Sequence, residues 1–327
     1  MKMRPLAPSS SGRSCLFGSE SGQWRLPGVE AHKNLVWTSG DSYCACWSEV
    51  GELKAATERS SARAVISIAR PLIIGHRGYS EIAPENTLPS FKLALEAGAD
   101  LVELDYQLSQ DRVAMVMHDD TLDRTTNARR AWRRVRVQVA ARTAAEIRTL
   151  DAGRWFGSKF AGTRVPLLTE ALELIVRGGG TALVEHKSGD AASGAKLLRE
   201  SGLSERVVVI SFDWAYLREF HELKPDQVLG ALGPPARLAN GNKPSRFSGK
   251  LDREWLDQMG GTGAEIAVWN QRVTQDAVRQ AHRRGLKVWV YTIDKLRPAK
   301  QMLGKGVDGI ITNRVGLIRR AADGVTK

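Results

Sequence analysis

The sequence predicts an α/β fold, a (β/α)8 TIM barrel with a β-hairpin at its second strand. From residue 71 onward, short β-branched apolar runs alternate with amphipathic helical segments. That alternation implies a parallel sheet covered on its outer face by helices. The alternating region spans about 250 residues, the usual length of eight βα units. No Gly-rich dinucleotide loop follows the first strand, which disfavours a doubly wound open sheet.

In chain order, nine runs read as strands: 72–76, 101–106, 113–118, 181–186, 206–211, 228–232, 265–269, 287–292 and 307–312. The first is LIIGH, apolar until it ends in a histidine. Near-continuous apolar runs such as VVVIS and KVWVYT mark strands buried on both faces. Helical periodicity fills 86–97, 143–150, 168–177, 191–202, 214–223, 274–284 and 295–304. Nine strands is one too many for a closed barrel of eight. The second and third are separated only by the polar stretch 107–112, too short for a parallel crossover. They should form a hairpin. A two-residue turn at Gln110-Asp111 would place His118 opposite Glu103, on one face with Asp105.

Residues 1–68 are Ser- and Gly-rich, carry scattered tryptophans and show no sustained period. They read as an irregular or disordered extension, and 69–323 as the functional domain. The three cysteines, Cys15, Cys44 and Cys46, all fall in that extension. An odd count with none in the body argues against a disulfide-built fold. The sequence has neither an apolar run long enough to span a bilayer nor the apolar core of a secretory signal, so the chain reads as cytoplasmic with no integral membrane association. Net charge is +12, and the stretch 124–148 contributes +7 of it through eight arginines and one acid. Such a run can serve nucleic acid or an anionic surface. Without interleaved aromatics or a reading motif it reads better as a solvated loop, and no nucleic-acid partner is expected.

The chemistry concentrates at predicted strand ends. His76-Arg77-Gly78 closes the first strand and Pro84-Glu85-Asn86-Thr87 follows. An imidazole can move protons near neutral pH, and a guanidinium can fork two phosphate oxygens. Glu103 and Asp105 share one face of an apolar strand, and Glu185 ends another, with Lys187 two residues on. Exposed, these would be ordinary surface acids. Buried together, like charges are costly unless a cation lies between them. Oxygen donors favour one hard divalent ion, Mg2+ or Ca2+.

These motifs together resemble the glycerophosphodiester phosphodiesterase family: HRG with PENT, then VELDYQLSQDRVAMVMHDDTLDRTTN, VEHK and GVDGIITN. The resemblance runs from about residue 72 to 320. It implies a distorted (β/α)8 barrel with one divalent metal. It implies catalytic histidines at His76 and His118, metal ligands at Glu103, Asp105 and Glu185, and phosphate-binding groups at Arg77 and Lys187. Glu85 matches a family signature and either touches the metal or braces its loop. The implied reaction cleaves a small glycerophosphodiester, such as glycerophosphocholine or glycerophosphoethanolamine, to sn-glycerol 3-phosphate and an alcohol. The rivals are a lysophospholipase D-type diesterase, which would need an apolar entrance, and a non-catalytic anion-binding protein on the same scaffold. Tyr291 and Asn313 depart from common family choices and are expected to tune the leaving-group pocket. His186 should point away from the site. Oligomeric state is not legible.

Overall fold

β-branched apolar segments form strands, and here they form nine: β1 (Leu72–Gly75), β2 (Leu101–Leu108), β3 (Ala114–Val116), β4 (Thr181–His186), β5 (Val207–Ser211), β6 (Leu229–Gly233), β7 (Ile266–Asn270), β8 (Lys287–Tyr291) and β9 (Gly309–Thr312). The helices are α1 (Ala62–Ile66), α2 (Leu88–Glu96), α3 (Ala128–Trp132), α4 (Ala144–Ile147), α5 (Leu168–Arg177), α6 (Ala191–Ser201), α7 (Trp214–Leu223), α8 (Arg253–Met259), α9 (Gln275–His282), α10 (Leu296–Gly304) and α11 (Val315–Asp323). The structure, a computed structural model, describes residues 61–245 and 248–323. Most of the expected irregular extension, residues 1–60, lies outside the described residues.

The sheet runs β1-β9-β8-β7-β6-β5-β4-β2 and closes through β1–β2, giving eight parallel strands, with β3 added antiparallel on β2. Side-chain parity divides the core into two layers. Leu72 and Ile74, Leu101, Leu183, Val208 and Ile210, Ile266 and Val268, Trp289 and Ile311 fill the barrel interior. The alternate residues, such as Ile73, Val102, Leu104, Val184, Val209 and Val288, pack outward against the helices. Helix starts follow local capping chemistry. The Asp190, Asp213, Asp252 and Thr274 side chains accept backbone N–H groups at the starts of α6, α7, α8 and α9.

Two sequence expectations need correction. Residues 62–66 are not irregular: they form α1, whose Ala62 and Ile66 are buried in the same cluster as the barrel-interior residues Leu72, Val228 and Ile266. Arg63 ties that helix to Glu265 at 2.5 Å. Burying Ile66 contributes about 2 kcal/mol, and its short helix carried too little periodicity to be seen in a Ser-rich context. The second correction is the hairpin register. Tyr106 pairs with Val116 and Leu108 with Ala114, and the Ser109 N–H donates to Val113 O, so the turn holds three residues, 110–112. The Met117 N–H donates to Asp105 O. His118 therefore falls one position away from the expected pairing with Glu103. Ser109 explains the longer turn, because its hydroxyl bonds Asp111 at 2.6 Å and Val113.

Helices α3, α8 and α11 lie where no helix is expected from periodicity. The first is five residues long, and α8 is seven. No helix in the described residues is long and apolar enough to cross a membrane.

Candidate active site

Parity that places Leu101 inside the barrel also turns Glu103 and Asp105 inward, and parity on β4 does the same for Glu185 after Leu183. Asp105 and Glu185 are direct register partners across β2 and β4. One carboxylate oxygen from each of Glu103, Asp105 and Glu185 lies within 4.8 Å of the others. All three are buried, Asp105 fully. β1 pairs with β2 at Ile74↔Leu101 and Gly75↔Val102 and no further, and β3 joins β2 only from Tyr106 onward. The edge of β2 between them is left to the turn after β1. There the Arg77 N–H donates to Glu103 Oε2 at 2.7 Å, while Glu103 Oε1 is buried with no hydrogen-bond partner.

The electrostatics follow from that crowding. Burial, Asp105 and Glu185 push the Glu103 carboxyl well above its ordinary range. Burial and Asp105 push Glu185 up to about 7 despite Lys187. Burial also acts on Asp105, but Lys187 and Arg77 outweigh it and hold Asp105 low. Lys187 Nζ contacts Glu185 Oε1 and lies 3.2 Å from Asp105 Oδ1. Arg77 Nε lies 3.3 Å from Asp105 Oδ2. Two cations thus face three carboxylates, and the orphaned Glu103 oxygen remains. This donor set, all carboxylate oxygen, fits a hard divalent cation.

Each expected site residue has a definite place. Glu85 is outside the triad. It accepts from Arg77 Nη1 at 2.8 Å and is bridged by both Arg124 Nη atoms at 2.7 and 2.8 Å. It braces its loop. Arg124 also grips Asp119 through Nε at 2.7 Å, and Asp119 Oδ1 meets His118 Nδ1 at 2.7 Å. Hydrogen bonds from Arg124 hold the Asp119 carboxyl down to about 2. His118 reaches the site from the loop after β3, near enough that its charge acts on Asp105.

His76 sits at the end of β1, the barrel neighbour of β2. Its Nδ1 lies 2.7 Å from Asn313 Oδ1. Burial and the neighbouring Arg77 hold the imidazole below its usual range. Asn313, expected from the sequence to tune the leaving-group pocket, touches the imidazole. Tyr291 shares the inward parity of Trp289 on β8 and packs against the barrel interior. It packs edge-on to Phe212 at 6.1 Å, bonds Gly233 O at 2.8 Å and feels the Glu185 charge. Trp289 is wholly core. His186 stacks on Tyr216 at 3.6 Å and bonds Gly189 O, pointing away from the carboxylates as expected.

Sequence reasoning missed several partners. Asn86, quoted only as part of PENT, donates to Asp105 Oδ2 at 2.8 Å and accepts the Asp105 N–H. Asp119 and Arg124 link the two halves of the site, and Asp294 backs Asn313. The only available signal was adjacency: Asp119 follows His118, and Asn313 ends an inward-facing strand.

The sequence profile of the Glycerophosphoryl diester phosphodiesterase family matches residues 76–317. A glycerophosphodiester phosphodiesterase of Caldanaerobacter subterraneus is 34% identical over 250 residues, covering 75% of this chain and 94% of that protein. One from Bacillus subtilis is 29% identical over 279 residues, covering 80% and 89%. Among solved structures, an Oleispira antarctica phosphodiesterase in complex with the product sn-glycerol-3-phosphate superposes with a TM-score of 0.67 at 26% identity, covering 78% of this chain and 97% of that one. The chain belongs to the glycerophosphoryl diester phosphodiesterase family and is an enzyme of that class.

Proposed function

We propose that the barrel, residues 69–323 together with α1, hydrolyses small glycerophosphodiesters such as glycerophosphocholine and glycerophosphoethanolamine to sn-glycerol 3-phosphate and the free alcohol. The observation that carries this reading is the buried Glu103–Asp105–Glu185 triad, with His76 following β1 and His118 following β3. The product named for the Oleispira antarctica complex supports the same substrate class.

Glu103, Asp105 and Glu185 would hold one Mg2+ or Ca2+. That ion, when bound, supplies positive charge against the phosphoryl oxygens as negative charge builds. Arg77 Nη1 is committed to Glu85 and Nε faces Asp105, which leaves Nη2 for a phosphate oxygen. Lys187 offers a second fixed charge beside it. Positive groups held in place need no reorganisation when the diester reaches its transition state.

His76 and His118 divide the proton transfers. One imidazole nitrogen takes the proton of the glycerol hydroxyl next to the phosphate. That oxygen bonds to phosphorus while the bond to the departing alcohol breaks, and the other histidine gives the alcohol oxygen a proton. Water then opens the cyclic phosphate by the same transfers in reverse. Glu85, Arg124 and Asp119 hold Arg77 and His118 in one connected set of hydrogen bonds. Assaying glycerophosphocholine beside lysophosphatidylcholine tests the substrate class. Release of choline from the first, lost with EDTA, is expected. Turnover of the lysolipid alone would overturn it.

A further inference from the structure

We infer that Asp294 and Asn313 form a positioning pair that fixes the tautomer of His76, with the proton on Nδ1 and the lone pair on Nε2. Asn313 has one acceptor and one donor end, and its orientation decides which face His76 sees. Asp294 Oδ2 lies 2.7 Å from Asn313 Nδ2. Asp294 Oδ1 accepts from the Asn313 N–H at 2.8 Å and from Thr312 Oγ1 at 3.0 Å. A carboxylate so placed can only accept. A flipped amide would set carbonyl oxygen against carboxylate oxygen. The amide oxygen therefore faces His76, and Ser80 Oγ donates to it at 2.6 Å. Since Asn313 Oδ1 cannot donate, the contact with His76 Nδ1 requires the proton on the imidazole.

No protein group among the described residues bonds His76 Nε2. On the neutral imidazole, which carries a single ring proton, Nε2 is then left as a proton acceptor. An amide at position 313 sets the tautomer without placing a negative charge on the ring. A carboxylate there would favour the imidazolium. The role of Nε2 as base rests on the phosphodiesterase reading. The tautomer does not.

The test uses the full chain with 15N-labelled histidine, the His76 signals being assigned by their loss in His76→Gln. The resting protein should show a protonated Nδ1 and a bare Nε2. Asn313→Leu should lose that signature, and kcat should fall about tenfold to a hundredfold with KM little changed. Asp294→Asn, which removes the orienting carboxylate, should shift His76 toward a mixture of tautomers. A protonated Nε2 in the wild type overturns the inference. So does a wild-type signature retained in both variants. An Nδ1–H signature in a protein that cleaves no glycerophosphodiester upholds the pair and counts against the phosphodiesterase reading alone.

Discussion

Replacing Glu185 with glutamine tests the charge balance of the triad without touching either histidine. The folded midpoint of this carboxyl is about 7, against an ordinary 4.5. Between those values the folded state keeps a proton that the unfolded chain has already lost. The unfolded state binds fewer protons, so stability falls as pH rises through that window. Holding the carboxylate charged at about pH 8 then costs on the order of 3 kcal/mol in metal-free protein. Glutamine keeps the shape and removes the cost. For a domain of this size, that amounts to a rise in Tm of about 6 °C. Melts in EDTA at about pH 8 should show Glu185→Gln more stable than wild type, and at about pH 4.5 the two should converge. Added Mg2+ or Ca2+ should stabilise the wild type and largely fail to stabilise the variant. A variant less stable than wild type in EDTA at the higher pH would refute the reasoning. So would a wild type whose melt ignores both cations.

Three other substitutions separate chemistry from folding. His118→Ala should lower kcat by about a hundredfold or more and leave Tm nearly unchanged, because the side chain is about a third exposed; stopped assays and calorimetry on the same preparation check both. Arg124→Gln breaks the chain from His118 through Asp119 and Glu85 to Arg77. Steady-state kinetics should show about a tenfold loss in kcat/KM, with only a small change in denaturation midpoint because Arg124 is 44% exposed. Gly78→Ala should destabilise by about 2–3 kcal/mol in urea unfolding. Gly78 has φ +87°, and a Cβ there would meet the Ser90 carbonyl carbon at 2.6 Å. That geometry gives the glycine after His76-Arg77 its physical reason.

The barrel was legible because the parallel strands are mostly apolar runs, and all eight emerge within a few residues of their expected bounds. The carboxylates were legible because parity alone puts Glu103 and Asp105 on one side of an apolar strand. Register was not. Whether the hairpin turn holds two residues or three depends on how the Ser109 hydroxyl bonds, and composition does not encode that. His118 reaches the site through the loop after β3, not by cross-strand pairing with Glu103. The support around His76 was hidden for a different reason. Asn313 lies 237 positions from His76, and Asp294 lies 19 positions before Asn313. Nothing local marks either as a partner until the barrel closes β9 onto β1. Arg124 was read only as part of a basic run, yet it pairs with both Glu85 and Asp119, ion pairs of a kind that its sequence neighbours Arg129, Arg130, Arg133 and Arg134 lack among the described residues.

The most direct test follows glycerophosphocholine by 31P NMR with the full chain and Mg2+ or Ca2+. The diester signal should be replaced by sn-glycerol 3-phosphate, with choline released in equal amount, and EDTA should stop the conversion. Formation of phosphocholine and glycerol would contradict the assignment. So would an unchanged diester signal, with either metal, for both glycerophosphocholine and glycerophosphoethanolamine.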